Sequence, residues 1–395
     1  MFFKNFKKII LTLLILSLGF VGIYFVDLFG VQEKINNQFK KVSFYNAVKE
    51  IPRIKIKMKK EEYNQLIHQR DTLLERGNIP WAIDGTEEKL KVKAKFKSGK
   101  DKSKGNIRIA GHFWDHWKRD PFSMKVRTKS PINGSSRFNL LNSRTRGHMT
   151  DWFAHKLELD AGLNALNSEY VWVDFNGEDK VYLFEGLYDH VFLKQKGFSN
   201  AVFVMEYTYD TTRQIKLKFP EKEPSTALVK RCSSLYDSLC SGSLSPMDFI
   251  DYKKMAKFYA LGDLYQSTHQ YYHFNLRYIF NGETNKIEPV GREYWIEDKG
   301  ENRALFLTSH LNDSTREYGY IPEVLFKDTT FKKYYYKELE AVSQKSFLDK
   351  AIKKYQSDIE RGKILLWRRY PWLKDPIDFK TLYTNQVWLR ENLNN

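Results

Sequence analysis

At 395 residues, the chain is long enough for one large domain or two ordinary ones, each with its own core. Hydrophobic residues make up 42% of it and charged residues 29%, a balance that excludes a disordered chain. The formal net charge of +17 favours anionic partners such as phosphates, acidic polysaccharide, anionic lipid or nucleic acid.

The N-terminus carries an apolar run, residues 9–30, directly after lysines at positions 4, 7 and 8. The run is long enough to cross a bilayer, and no small-x-small cleavage site follows it. The lysines favour a cytoplasmic N-terminus. The sequence therefore predicts a cytoplasmic segment at 1–8, a transmembrane signal anchor at 9–30 and a tether at 31–51. The body of the protein is expected outside the bacterial cytoplasmic (inner) membrane, held by the bilayer. Partners expected there are an envelope protein or an anionic polysaccharide, and no nucleic acid.

Apolar periodicity predicts strands before helices in the next part of the chain. Residues 52–58 alternate as a strand, and residues 61–76 have helical spacing. Lysine-rich strands at 90–99 and 106–111 are expected to pair, and residues 122–129 continue the strands. Thr150 is expected to cap a helix over 151–163, and a second hairpin is expected around Asn176 and Gly177.

The second half of the chain reads as more helical. Ser245 and Pro246 predict the start of a helix that runs to Asp263, and residues 328–395 read as a helical, basic and aromatic region. If residues 226–239 are helical, Cys232 and Cys240 lie roughly 12 Å apart, too far to bridge. A disulfide would require that segment to bend, and two free cysteines are the alternative.

Residues 273–295 contain the most informative pattern. They read as two strands joined at Asn281 and Gly282, a pair that supplies the positive φ angles of a tight hairpin. Asn275 opens the first strand, and Glu293 lies just past the second. Protein kinases hold two metal ions on the phosphates of ATP with side chains in such an order. The pattern therefore predicts Asn275 and Glu293 as metal ligands.

Seven blocks along the chain form an ordered set: RIAGHFWDHW (108–117), SMKVR (123–127), RFNLLNSRTRG (137–147), DWFAHKLELDAGL (151–163), VDFNGEDKVYLFEGLYDH (173–190), ALGDLYQSTH (260–269) and NLRYIFNGETNKIEPVG (275–291). In this order they resemble the blocks of the spore-coat H (CotH) kinase-like family, and of its membrane-anchored branch in particular. The resemblance implies an α+β fold of the atypical protein-kinase-like (CotH) type over residues 52–327, behind the N-terminal transmembrane helix.

The resemblance also implies roles for individual residues. Lys125 matches the lysine that pairs with nucleotide phosphates, and Glu185 lies near a glutamate of the same site. Asn275 matches the asparagine on the metal side, whereas Glu293 stands where the family usually has an aspartate. The cofactor implied is ATP with Mg²⁺ or Mn²⁺.

The catalytic base departs from the family pattern. His269 lies near the position where many members carry a catalytic aspartate, and Asp263 lies six residues before it. A histidine can accept a hydroxyl proton near neutral pH, but it adds no negative charge to hold a metal ion.

Two functions remain open from the sequence. The first is a membrane-anchored CotH-like phosphotransferase that moves the γ-phosphate of ATP to a hydroxyl of a protein or envelope component. The alternative is a catalytically inactive protein with the same fold, used to bind or assemble an anionic envelope polymer or a partner protein.

Overall fold

A computed structural model describes residues 51–75, 90–111, 114–118, 120–209, 212–218, 225–272, 275–296, 300–306, 318–367, 369–373 and 375–393. The predicted signal anchor and all of the predicted tether except Ile51 lie outside these residues.

The first seven strands close into a barrel of order β1-β2-β3-β4-β5-β7-β6. Neighbours pair antiparallel, except that β1 closes the barrel by pairing parallel to β6. Period-2 alternation points Ile54, Phe96, Val126 and Phe138 into the barrel, where they are buried. The strands are β1 (Arg53–Lys57), β2 (Val92–Ser98), β3 (Asp101–Ile109), β4 (Met124–Ile132), β5 (Ser135–Leu141), β6 (Ser168–Phe175) and β7 (Glu178–Gly186).

The second half combines a four-stranded sheet of order β11-β10-β8-β9 with packed helices. Its core is aromatic. The rings of Tyr259 and Phe306 stack, and the ring of Phe326 lies edge-on to Tyr259 and tilted against Phe306. The strands are β8 (Ala201–Tyr209), β9 (Thr212–Lys218), β10 (Arg277–Asn281) and β11 (Lys286–Val290). The helices among the described residues are α1 (Lys60–Glu75), α2 (Thr150–Asp160), α3 (His190–Gln195), α4 (Thr226–Cys240), α5 (Pro246–Phe249), α6 (Tyr252–Tyr265), α7 (Tyr320–Lys327), α8 (Thr329–Ser343), α9 (Lys345–Trp367) and α10 (Phe379–Asn392).

The two halves meet on the outer face of the barrel. The end of β5, from Phe138 to Leu141, is buried on both faces, so its outer side chains are covered. Leu141 and Leu183 share one core cluster with Phe153 of α2, a helix buried over most of its length. Polar side chains that point outward from β4, β5 and β7 therefore lie near the junction between the barrel and the second half.

The expected kinase-like α+β fold behind a transmembrane helix is wrong for this chain. The finding that overturns it is the closed seven-stranded barrel. β1, β2 and most of β4 were predictable because they alternate with period 2, but closure depends on the parallel pairing of β1 with β6, which joins segments more than 100 residues apart.

Within the described part of the chain, no helix is long and apolar enough to cross a membrane. This finding is against two predictions from the sequence, the membrane anchor and the single-pass location in the inner membrane. The apolar run at 9–30 lies outside the described residues.

Several local predictions are corrected by the backbone. The β10–β11 turn spans residues 282–285, and its positive φ falls at Asn285, not at Asn281 and Gly282. The hairpin predicted around Asn176 and Gly177 is present as the β6–β7 turn, and both residues have positive φ.

The helix predicted from Ser245 to Asp263 is two helices, because Ile250 is extended and bridges to β11 before Asp251 caps α6. Thr150 is the first residue of α2 and not its cap. No disulfide joins Cys232, in the interior of α4, to Cys240, its last residue, as helical spacing predicts.

Candidate functional site

Four polar side chains form one row across the outer face of the barrel. The strand registers place Arg108 opposite Lys125, Lys125 opposite Asn139, and Asn139 opposite Glu185, on β3, β4, β5 and β7. Alternation explains the row, since the flanking residues of each strand point into the barrel. Asn139 Nδ2 donates to Glu185 Oε1 over 2.8 Å, which fixes the carboxylate within the row.

Lys125 lies in an unusually cationic environment. Its pKa is lowered from 10.5 to about 7, first by burial and then by the guanidinium groups of Arg108, Arg292 and Arg137. Glu185 acts in the opposite direction and raises the pKa. Among the described residues, no carboxylate lies within 4 Å of Lys125 Nζ. We call Arg108, Lys125, Arg137 and Arg292 the Lys125 cluster. Such a group of cations is suited to an anion that carries several charges.

Arg146 contacts three carboxylates beside the Lys125 cluster. It ends the short 3-10 helix Ser143–Arg146 that follows β5 and is 5% exposed. Its Nε lies 3.3 Å from Glu185 Oε2 and 3.6 Å from Asp151 Oδ2, and its Nη2 lies 3.1 Å from Glu293 Oε1. The guanidinium group therefore joins the barrel, α2 and the segment after β11 at one point.

The segment after β11 is held in a strained turn. Glu293 has φ +62°, a left-handed conformation that residues other than glycine seldom adopt. The turn is fixed on both sides, because Tyr294 donates its backbone N–H to Asp151 Oδ1 over 2.8 Å and its hydroxyl to Glu158 Oε1 over 2.9 Å. Gly291 allows the close approach: a Cβ there would lie 1.8 Å from Glu158 Oε1. Backbone strain that the surroundings enforce is typical of functional sites.

Glu293 is ionised in this position. Burial opposes its charge, but Arg292 and Arg146 outweigh burial and hold the pKa of the carboxyl group well below its usual range. Arg292 Nη2 also contacts Glu293 Oε1 closely.

His269 contacts the other oxygen of this carboxylate. Its Nε2 lies 3.1 Å from Glu293 Oε2, and its side chain is 39% exposed. Because an ionised carboxylate only accepts hydrogen bonds, Nε2 carries a proton, and in the neutral imidazole Nδ1 has the lone pair. Asn275 Nδ2 donates to the backbone carbonyl of His269 over 2.9 Å and positions the loop. The arrangement is that of a histidine base oriented by a carboxylate.

Glu293, one of the two predicted metal ligands, does not fit a protein-bound divalent ion. Both of its oxygens are engaged, one by Arg146 and Arg292 and the other by His269, so an added cation would meet two guanidinium groups. Asn275 donates its amide nitrogen to the backbone carbonyl of His269, and the role of its amide oxygen as a metal ligand stays a prediction. In the part of the chain that the structure describes, no group of three or more His, Cys, Asp or Glu side chains is arranged to hold a metal ion.

Asp263, the second candidate base, is buried among groups that stabilise the fold. It is 4% exposed, and its carboxylate accepts hydrogen bonds from the backbone N–H of Phe306, over 2.9 Å, and from the hydroxyl of Tyr335 on α8. The contact with Tyr335 joins α6 to α8.

We expect Asp263→Ala to lower the free energy of unfolding by about 1–3 kcal/mol, because it leaves two buried donors without an acceptor. Chemical denaturation measures the change, with the exposed Asp237→Ala on α4 as a control that shifts stability by less than about 0.5 kcal/mol. A loss of nucleotide affinity or turnover at unchanged stability would instead place Asp263 in the site.

The structure thus brings five of the six predicted site residues into one connected region: Lys125, Glu185, His269, Asn275 and Glu293. Sequence reasoning missed Arg108, Arg137, Arg146, Arg292 and Asp151. Arg108 had a detectable signal, since its alternation with Ile107 and Ile109 places it on the same face as Lys125. Glu158 of α2 contacts His155 and Tyr294.

No protein-family model matches this chain, and a comparison with curated proteins finds no match. The resemblance to the CotH family stays a prediction from the sequence blocks.

Proposed function

We propose that this protein binds the phosphates of a nucleoside triphosphate at the Lys125 cluster and transfers the γ-phosphate to a hydroxyl group. The observation that carries the proposal is the ammonium group of Lys125, held among three guanidinium groups without a carboxylate partner within 4 Å in the described residues. Holding these cations together is unfavourable in the free protein, and binding of a polyphosphate would relieve their mutual repulsion.

Charge neutralisation is the main requirement of phosphoryl transfer. The transition state spreads negative charge over the oxygens of the transferred group, and fixed cations in a water-poor site stabilise it strongly. Arg108, Lys125 and Arg292 would supply these charges on the protein side. Guanidinium groups suit the task because their planar donors bind two phosphate oxygens at once.

Glu185 and Arg146 would act by holding other residues of the site in position. Glu185 is fully buried, and its two oxygens are held by Asn139 and Arg146. Its charge balances part of the Lys125 cluster and keeps Arg292 near the site, with 3.9 Å between Arg292 Nη2 and Glu185 Oε1.

His269 would accept the proton of the incoming hydroxyl at Nδ1. The hydroxyl oxygen then forms a bond to the γ-phosphorus, and the bond between that phosphorus and the β,γ-bridging oxygen breaks. The diphosphate leaves with the electron pair, and the proton stays on the imidazole. Glu293, hydrogen-bonded to Nε2, stabilises the imidazolium ion that results.

Binding without transfer is the second candidate function. It is favoured by one observation, the neutralisation of Glu293 by Arg146 and Arg292, which leaves this carboxylate unsuited to hold a metal ion at the phosphates. In that case the Lys125 cluster would hold a phosphate-bearing polymer or partner.

The His269→Gln variant separates the two candidates. With full-length protein, ATP as substrate and water as the hydroxyl, we expect ADP formation to be about 100-fold slower than in the wild type. ATP affinity is expected to stay within about twofold, because His269 is not part of the Lys125 cluster. The exposed His68→Gln on α1 is the matched control and should retain the wild-type rate.

Wild-type protein that binds ATP but forms no ADP, alone or with an envelope fraction as acceptor, would favour binding without transfer. An unchanged rate in His269→Gln would remove His269 as the base.

A further inference from the structure

Three exposed lysines lie directly opposite one another on the outer face of the barrel. Lys57 pairs with Lys95 between β1 and β2, and Lys95 pairs with Lys104 between β2 and β3. Neighbouring strands lie about 4.8 Å apart, so the three side chains stand in a row. Like charges directly opposite one another destabilise a sheet. The row therefore works against the stability of the barrel that carries it.

The row is not neutralised from within the protein. Across the ranges that the structure describes, no carboxylate lies within 4 Å of the ammonium groups of Lys57, Lys95 or Lys104. The neighbouring row, Lys55, Lys97 and Lys102, is also cationic but has one acid contact, because Lys55 lies 3.1 Å from Asp174 of β6. The row of Lys57, Lys95 and Lys104 has no such contact among the described residues.

The unpaired row lines a groove of about 1000 Å³. Seven of the thirteen residues around the groove are lysine or arginine, and Glu62 is the only acid among these described residues. Glu62 is itself engaged, since its carboxylate accepts the backbone N–H of Lys93 over 3.0 Å. We call this feature the lysine groove; its cationic lining includes Lys57, Lys93, Lys95, Lys104, Arg127 and Lys129.

We propose that the lysine groove binds a linear acidic polysaccharide. Charge complementarity requires a polyanion, and the concave shape fits a chain better than a flat bilayer surface. Single-stranded nucleic acid is disfavoured because the described lining contains no aromatic side chain on which bases could stack. A β-strand from an acidic protein has no free edge to join, because the barrel is closed. The function differs from phosphate binding at the Lys125 cluster, whose residues do not line this groove.

Fluorescently labelled heparin of defined length is the probe, titrated with full-length protein and followed by anisotropy. We expect wild-type binding that weakens steeply between about 50 and 200 mM salt. The triple variant Lys57→Gln/Lys95→Gln/Lys104→Gln is expected to bind at least about tenfold more weakly, with a smaller salt dependence.

The matched control removes three exposed lysines of the C-terminal helices, Lys337→Gln/Lys350→Gln/Lys353→Gln, and has the same net charge. It should bind heparin within about twofold of the wild type. Circular dichroism checks that both variants fold. Equal weakening in both triple variants would show that heparin affinity depends only on net charge, and would overturn the proposal. Tighter binding of single-stranded DNA or anionic vesicles than of heparin would also overturn it.

Discussion

Replacing Arg146 with methionine is expected to lower the free energy of unfolding by about 3–5 kcal/mol. The guanidinium group is buried against Asp151, Glu185 and Glu293, with N–O distances of 3.1 to 3.6 Å. Methionine fills much of the space but leaves three buried carboxylates with less compensating charge, and breaking a buried ion pair from one side destabilises by about this amount. Urea denaturation at pH 7 measures the change.

The loss should depend on pH in a defined direction. Burial opposes ionisation of Asp151 and Glu293, but neighbouring cations keep the pKa of both below the usual range. Their ion pairs therefore stabilise the fold above the pKa of a free carboxyl group, about 4, and this contribution is lost as the pH falls further. The difference between wild type and Arg146→Met is largest near neutral pH and shrinks in acid.

Arg144 provides the control for this prediction, because it belongs to the same 3-10 helix and is exposed. Arg144→Met should change stability by less than about 0.5 kcal/mol. Similar losses in the two variants would show that the helix, and not the buried charge, is responsible.

Replacing Lys125 with methionine is expected to stabilise the ligand-free protein by about 2–4 kcal/mol. The folded-state pKa of about 7 lies below the ordinary lysine value of 10.5, so the charged form is disfavoured in the fold. The penalty is full below pH 7 and fades as the pH rises towards about 10, because the folded protein releases its proton before the unfolded chain does. The gain in stability should follow the same course.

Lys129→Met, on the exposed side of the same strand, is the control and should change stability by less than about 0.5 kcal/mol. Destabilisation by Lys125→Met would show that Lys125 supports the fold, and would remove the argument that its charge is kept for a ligand.

Local pattern predicted much of the first half of this fold. Alternation in β2 and β4 separates buried from exposed residues, and Asn176-Gly177 forms the turn that such a pair favours. Closure of the barrel was not predictable in this way, because it depends on which distant strands pair. The break at Ile250 was missed for a similar reason: Ile250 leaves the helix to bridge Ile287, a contact between segments that no periodicity records.

The sequence predicted individual residues of the candidate site, but not which charged side chains lie beside one another. Lys125 and Glu185 were identified separately, and their registers place them on one row through Asn139. The interpretation of Glu293 changed mainly because of Arg146, which lies 147 residues earlier in the chain, whereas Arg292 is its neighbour in sequence. A carboxylate after a hairpin suggests a metal ligand as long as the distant guanidinium group beside it is not known.

Titration of ATP into the full-length protein, followed by calorimetry, tests the phosphate site most directly. Wild type and Lys253→Ala, an exposed lysine on α6, are expected to bind with equal affinity, and Lys125→Ala at least about 100-fold more weakly. A folded wild type that binds no ATP up to about 1 mM, or a Lys125→Ala variant that binds as well as the wild type, would contradict the account.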